Sequence, residues 1–360
     1  MKATAIRPAL ARADYAQLAL YAPDRVPVRV DLSDNTNRWG MPPAAARVLR
    51  EAGGGASSFT RYPDPYAESL KDAIAAYTGA EPDRIVTGCG SDDVLDSAVR
   101  AFSLAGERLA TCDPTFVMVP TLATVNGLEC ARVPFGGGSD FAVDADALLE
   151  TGARITYICS PNNPTGTTAA RDTIARLADE CSGLLIVDEA YIEFTDTNGC
   201  IELARTRPNV LVVRTMSKAF GLAGLRVGYG IGAPELVREV EKSRGPFKVS
   251  ALGSLATQAV LREDLSWMRL HARLAREART ALAGELARRG ITVLPSAANF
   301  VLACLLNASV IAAHMRERGV AVRSFTRLPG IGDALRITVA PMEEMSAALT
   351  ALDSARAACA

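Results

Sequence analysis

A chain of 360 residues can bury a substantial core and is long enough for one large domain and a smaller one, with no need of disulfides to fold. Its 39 basic and 40 acidic side chains nearly cancel, so no bulk field draws in nucleic acid or an anionic membrane, and any bound anion must be met by a local site. With only His271 and His314, a histidine-rich metal centre is excluded, no metal is expected, and a Ser-His-Asp triad would need one of two ordinary-looking helix histidines.

The first 23 residues are interrupted by Arg7, Arg12 and Asp14 before any apolar stretch reaches signal-peptide length, and no later run approaches membrane-spanning length. The expectation is a soluble cytoplasmic protein whose eight scattered cysteines, without a C-x-x-C pair, are reduced and mostly buried. Gly53-Gly54-Gly55 reads as a flexible joint and Gly136-Gly137-Gly138 as a loop tip. Between about residues 66 and 262, short apolar β-rich runs alternate with helical patterns, the signature of a parallel sheet wrapped by helices. Strands are predicted at 85–87, 108–112, 155–159, 184–187, 210–213 and 227–231. One long helix follows over 264–289, with Leu270, Leu274, Ala278, Leu282 and Leu286 as its apolar stripe. Strands at 292–294, 299–304, 320–323 and 335–339, interleaved with helices near 308–318 and 343–357, complete a small α+β unit. The chain thus divides into an N-terminal arm with part of the small domain (1–50), a large domain (51–262) and a small C-terminal domain (263–360).

Ligands bind such parallel sheets at the carboxyl ends of the strands, and the polar clusters fall there. Gly88-Cys-Gly90-Ser91-Asp92-Asp93 lies between a strand and a helix predicted to begin near Val94, where free backbone N–H groups can cradle a phosphate; Ser and Asp are also ordinary helix caps. Ser160-Pro-Asn-Asn163-Pro-Thr-Gly166 is either a plain turn or a stiff mount for Asn163, suited to hydrogen-bonding a phenolate oxygen on a cofactor ring. Leu184-Leu-Ile-Val-Asp188-Glu-Ala-Tyr191 places an acid at the end of an apolar strand, where it can keep a pyridinium nitrogen protonated and make the ring an electron sink. The same pattern describes a Walker B strand, but the chain has no Gly-Lys pair and hence no P-loop. Lys218, after strand 210–213, is either a surface lysine on a glycine-punctuated loop or a partly desolvated amine able to attack an aldehyde, with Ser217 and Arg226 placed to bind a phosphate. The Asp188 cluster favours the second reading.

The stretch RTMSKAFGLAGLRVGYG, with SPNNPTG and VDEAY upstream, resembles the fold-type-I pyridoxal-5′-phosphate (PLP) aminotransferases, and closely the histidinol-phosphate aminotransferase branch. The similarity runs from LSDNTNRWGMPP (32–43) through RYPDPY (61–66) to ALRITVAP (334–341). It implies an α/β fold of type I: a large PLP-binding domain with a mostly parallel, seven-stranded sheet, and a smaller α+β domain. It further implies that Lys218 holds PLP as a Schiff base and shuttles the proton, that Asp188 pairs with the pyridine nitrogen, and that Tyr191 and Asn163 hold the phenolic oxygen. The phosphate would lie on the Ser91 and Asp92 amides with Ser217 and Arg226, and Phe116 would stack on the ring. Tyr62 matches a residue that reaches the neighbouring subunit's phosphate, implying a homodimer with shared sites. Arg336 matches the arginine that grips a substrate carboxylate, and Arg323 aligns with a second anion-binding arginine; a solvent-exposed strand arginine is the alternative for Arg323. The implied reaction moves an amino group between an amino acid such as glutamate and a keto or aldehyde partner.

Three departures bear on substrate identity. The chain reads Asn35-Thr36-Asn37-Arg38 and then Trp39 where many members carry Asn-Glu-Asn-Pro, Phe116 replaces a tyrosine, and Lys248 adds a cation at a position expected to be neutral. The threonine-phosphate decarboxylases also resemble this branch and are the alternative, but they tend to carry His-Gly-Gly near the N-terminus and this chain has no histidine before His271. A nicotinamide-binding reading of Gly228-Tyr-Gly-Ile-Gly232 lacks a G-x-G-x-x-G opening a helix, and no segment is left over for the DNA-binding module of a PLP-binding regulator.

Overall fold

A computed structural model describes residues 12, 15, 18–20, 26–54, 59–136 and 141–359. Gly55, Gly137, Gly138 and most of the first 25 residues lie outside the described residues; Gly53 and Gly54 close the helix Pro43–Gly54 and do not form a joint.

The strands in chain order are β1 (Val30–Asp31), β2 (Ile85–Cys89), β3 (Arg108–Asp113), β4 (Glu129–Pro134), β5 (Ile155–Cys159), β6 (Leu184–Asp188), β7 (Val210–Thr215), β8 (Val227–Ile231), β9 (Thr292–Val293), β10 (Phe300–Cys304), β11 (Val320–Ala321), β12 (Arg323–Leu328) and β13 (Gly332–Thr338). Seven of them form one sheet in the order β2-β8-β7-β6-β5-β3-β4. All its neighbours pair in parallel except at β8, which runs antiparallel to both β2 and β7. The carboxyl ends of β2, β3, β5, β6 and β7 therefore share one edge. Strands β5, β6 and β7 are buried on both faces, which explains their unbroken apolar runs. Successive residues still alternate between two cores: Tyr157, Ile186 and Leu211 face one, Ile158, Val187 and Val212 the other. The edge strand β4 reads ECARVP, with only Val133 buried, and its lack of an apolar run hides it from the sequence reading.

The second sheet, β12-β13-β10-β9, is antiparallel, and β1 joins β11 in a separate parallel pair, so the N-terminal segment is stitched to the C-terminal part of the chain. The single strand predicted at 320–323 is in fact two: Val320 and Ala321 pair with β1, while Arg323 begins β12.

The long helix spans Leu265–Arg288, but its apolar stripe is not the predicted one. Met268, Ala272, Ala275, Leu282 and Leu286 are buried, whereas Leu270 is 41% exposed. A strict four-residue spacing advances by about 40° per step around a helix, so a row anchored at Leu286 rotates into solvent toward Leu270. Among the described residues no helix is long and apolar enough to cross a membrane, and no cluster of His, Cys, Asp or Glu could hold a metal ion. All eight cysteines are free, but only Cys112, Cys159 and Cys200 are buried, fewer than expected.

Candidate active site

The shared strand edge opens into a cavity of about 590 Å³. Ser91, Asp92, Phe116, Asn163, Asp188, Tyr191, Ser217, Lys218, Arg226, Arg323 and Arg336 all line it, so the structure brings together every site residue expected from sequence except Tyr62. Tyr62 is 83% exposed and stacks on Phe247, with ring centroids 4.7 Å apart. A larger cleft of about 870 Å³, between the 3₁₀ turn Ile192–Phe194 and the long helix, is lined by Glu193, Arg214, Arg269 and Arg273 but by no lysine.

Lys218 follows β7 directly, and its Nζ donates to the Asp34 carbonyl at 3.1 Å. Burial lowers its pKa to about 8, helped by the nearby Arg336 guanidinium and opposed by Asp92 and Asp34. Its amine also sits 5.8 Å from the centre of the Tyr191 ring. Asp188 closes β6, and its carboxylate is clasped from two sides: Tyr157 Oη donates to Oδ2 at 2.7 Å and the Ala190 N–H to Oδ1 at 3.0 Å. Burial nevertheless pushes this carboxyl up to about 6.

At the end of β2 the helix Ser91–Phe102 begins at Ser91, three residues earlier than expected, with Gly90 at its N-cap and no capping side chain. Its first amides are thus open to an anion. A Cβ on Gly90 would stand 2.4 Å from Arg226 Nη2, and one on Gly228 would stand 2.2 Å from the Ser91 amide nitrogen. Only glycines let these groups converge. Arg226 Nη1 reaches Ser217 Oγ at 3.4 Å, and its Nη2 lies 3.6 Å from Asp92 Oδ2.

Lys248 does not line the cavity. It pairs with Asp93 Oδ1 at 2.8 Å while Asp93 Oδ2 accepts the Cys89 N–H, so the unexpected cation braces the turn from behind.

Two contributors escape the sequence reading. Asn35, noted there only as a departure, is buried with φ 55°, and its Nδ2 donates to Tyr191 Oη at 3.0 Å. Tyr157 hides inside a strand that reads as core. Asn163 Oδ1 accepts from Arg336 Nη1 at 2.6 Å, and Arg336 Nη2 donates to the Ser33 carbonyl at 2.5 Å, so the arginine is aimed by two different segments. Arg323 and Arg336 are register partners on β12 and β13, which puts both guanidinium stems on one face of that sheet.

Residues 28–352 match the family model described as "Aminotransferase class I and II". The chain belongs to this family. It is 36% identical over 331 residues to the histidinol-phosphate aminotransferase of Roseiflexus castenholzii, covering 90% of this chain and 88% of that protein. The crystal structure of histidinol-phosphate aminotransferase from Sinorhizobium meliloti, determined in complex with PLP, superposes with a TM-score of 0.88 at 27% identity, covering 98% of this chain and all of that one. The L-threonine-O-3-phosphate decarboxylase of Porphyromonas gingivalis superposes with a TM-score of 0.78 at 22% identity, a likeness of fold alone. The chain is a PLP-dependent aminotransferase of fold type I, similar to the histidinol-phosphate enzymes.

The cavity fits that cofactor. The uncapped amides of Ser91 and Asp92 with Arg226 suit a phosphate, a buried carboxylate at a strand end suits a ring nitrogen, and a lysine of lowered pKa suits an aldehyde.

Proposed function

We propose that this enzyme transfers an amino group between glutamate and the keto partner of a small amine that carries a phosphate ester, of the histidinol-phosphate class. The observation that carries this reading is the register pairing of Arg323 with Arg336 at the cavity wall. Like charges directly opposite each other destabilise a bare sheet, and an anion placed between them offsets that cost. The relatives named for histidinol phosphate support the substrate class.

Bound PLP supplies a carbonyl carbon and an electron-withdrawing ring. The chain's own residues do the rest. Lys218, with an appreciable neutral fraction near neutral pH, would hold the carbonyl carbon and, once displaced from it by the incoming substrate amine, would be free to move the proton at the substrate carbon. Asp188 holds a proton on the ring nitrogen. Tyr191, kept protonated by burial and aimed by Asn35, and Asn163, aimed by Arg336, hydrogen-bond the phenolic oxygen. The Ser91 and Asp92 amides, Ser217 and Arg226 anchor the phosphate, and Phe116 covers the ring. Arg336 grips a carboxylate and Arg323 the second anionic group. We place the domain boundaries at 50 and 262, and eight free thiols support a cytoplasmic location.

The test is a half-reaction screen, following the absorbance of bound PLP as single amino donors are added. Glutamate and histidinol phosphate are expected to discharge the chromophore, with release of the keto partner and no carbon dioxide. Arg336→Ala is expected to weaken carboxylate substrates such as glutamate by about 10- to 100-fold, the worth of a buried charge-assisted contact, and Arg323→Ala to weaken the phosphate ester far more than a single carboxylate. Carbon dioxide release from phosphothreonine would point instead to the decarboxylase. Equal losses on a substrate with one anionic group would overturn the division between the arginines.

The same reading includes a homodimer with shared sites. Tyr62 sits on a turn stiffened by Pro63 and Pro65, its ring turned to solvent against Phe247 and away from its own cavity. We assign its hydroxyl to the partner's cofactor phosphate. Mixing inactive Lys218→Ala chains with a Tyr62→Ala chain impaired in cofactor binding is therefore expected to raise activity above either parent. In each mixed dimer one site is doubly damaged and the other intact. No recovery, once subunit exchange is demonstrated, would return Tyr62 to a role in its own chain.

A further inference from the structure

Tyr157 lies in the middle of β5, fully enclosed, and its hydroxyl meets Asp188 Oδ2 at 2.7 Å. Strand register explains the contact. Cys159 is the partner of Asp188 and Tyr157 the partner of Ile186, so the tyrosine is on the same sheet face one step back from the strand ends, and its ring runs forward beneath the carboxylate. Burial and the adjacent Asp188 charge hold the phenol well above its ordinary pKa, so the hydroxyl keeps its proton and offers it to the Asp188 carboxylate.

The charged groups around Asp188 do not favour its ionised form. Burial raises its pKa most, and Asp92 and Glu189 raise it further; the Tyr157 hydroxyl and the Ala190 N–H are the two groups that lower it. The second is main chain and fixed by the fold, so the tyrosine is the adjustable one.

We propose that Tyr157 is a positioning residue that keeps the proton shared between Asp188 and the cofactor on the ring nitrogen. The proposal rests on Asp188 pairing with that nitrogen. A hydrogen bond donated to the carboxylate makes it a weaker base, and the proton then resides on the ring, where it supports electron withdrawal. Without the donor the carboxylate takes the proton and the ring becomes a neutral pyridine. A tyrosine that merely satisfied its own buried hydroxyl would leave the proton where it was.

The measurement is the nitrogen-15 chemical shift of ring-labelled PLP reconstituted into wild-type and Tyr157→Phe holoenzymes. The wild-type signal is expected at the pyridinium position and the variant's displaced toward neutral pyridine. In parallel kcat should fall about 10- to 100-fold, the worth of one hydrogen bond to a buried charge, while the KM of the amino donor moves less than about twofold. A wild-type signal already at the neutral position would remove the role of Asp188 and the proposal with it. A pyridinium signal in both proteins would leave Asp188 in its role and overturn the proposal for Tyr157 alone. Should Tyr157→Phe fail to fold, 4-aminophenylalanine at position 157 preserves the shape and donates more weakly, so the signal should shift toward neutral pyridine. An unchanged signal there would overturn the proposal equally.

Discussion

Lys218→Ala is expected to abolish turnover, by at least ~10⁴-fold, while leaving the folded protein intact, because one side chain both captures the cofactor and moves the substrate proton. Its position makes this possible. The strand β7 carries the chain to the sheet edge, where burial of the amine, with the Arg336 charge close by, lowers its pKa to about 8. At pH 7 about a tenth of such an amine is neutral, against well under a thousandth for an ordinary lysine. Cofactor capture by the apoenzyme should therefore accelerate almost tenfold per pH unit up to about 8 and level off above it. Borohydride reduction of the holoenzyme followed by peptide mapping should find the label on Lys218. A label on Lys2, Lys71, Lys242 or Lys248 would defeat the assignment, and a capture rate flat between pH 6 and 9 would defeat the pKa argument.

How far this site can be read from the sequence depends on how each residue is recruited. Lys218, Asp188 and Asn163 each follow a strand whose apolar run announces it, and because parallel strands end at a common edge, polar residues just beyond several such runs must meet. Asn35 belongs to no such run. It reaches Tyr191, 156 residues away, from a segment held by the short β1–β11 pair and by the side chains of Thr338 and Asn299, and no local periodicity encodes that. Tyr157 is invisible for the opposite reason, since a tyrosine inside ITYIC looks like core until the register with β6 shows its hydroxyl under Asp188. The split of 320–323 into β11 and β12 has the same origin. A continuous apolar-to-basic run is divided only by which partner strand each half meets, and that division is what sets Arg323 opposite Arg336. Lys248, which stands out by residue type alone, is paired with Asp93 behind the turn, a partner that no local pattern announces.

Asp188→Asn is expected to move activity and stability in opposite directions. The amide oxygen keeps the Ala190 hydrogen bond and the amide N–H₂ turns to the Tyr157 oxygen, which then accepts in place of donating, so the fold is kept, but the amide cannot compensate a protonated ring nitrogen. Removing such a fixed charge where charge develops in the reaction typically costs about 10²- to 10³-fold in kcat. In the apoenzyme the carboxylate is a burden. Its folded pKa of about 6 lies above the ordinary aspartate value, so the native state binds the proton more tightly than the unfolded chain does. The stability conferred by the protonated form is complete below about pH 4 and is lost as pH rises toward 6. Asparagine does not titrate. The apo variant should therefore be more stable than wild type above pH 6, by on the order of 2 kcal/mol, and should lose that advantage near pH 4. Thermal unfolding of both apoproteins at pH 4 and pH 7.5, set beside kcat of the holoenzymes, reads both effects. A variant of unchanged apo stability at pH 7.5 would mean that the carboxylate is better solvated than its burial implies. Near-normal kcat would mean that the ring nitrogen has no need of its charge, and the electron-sink role of Asp188 would fall.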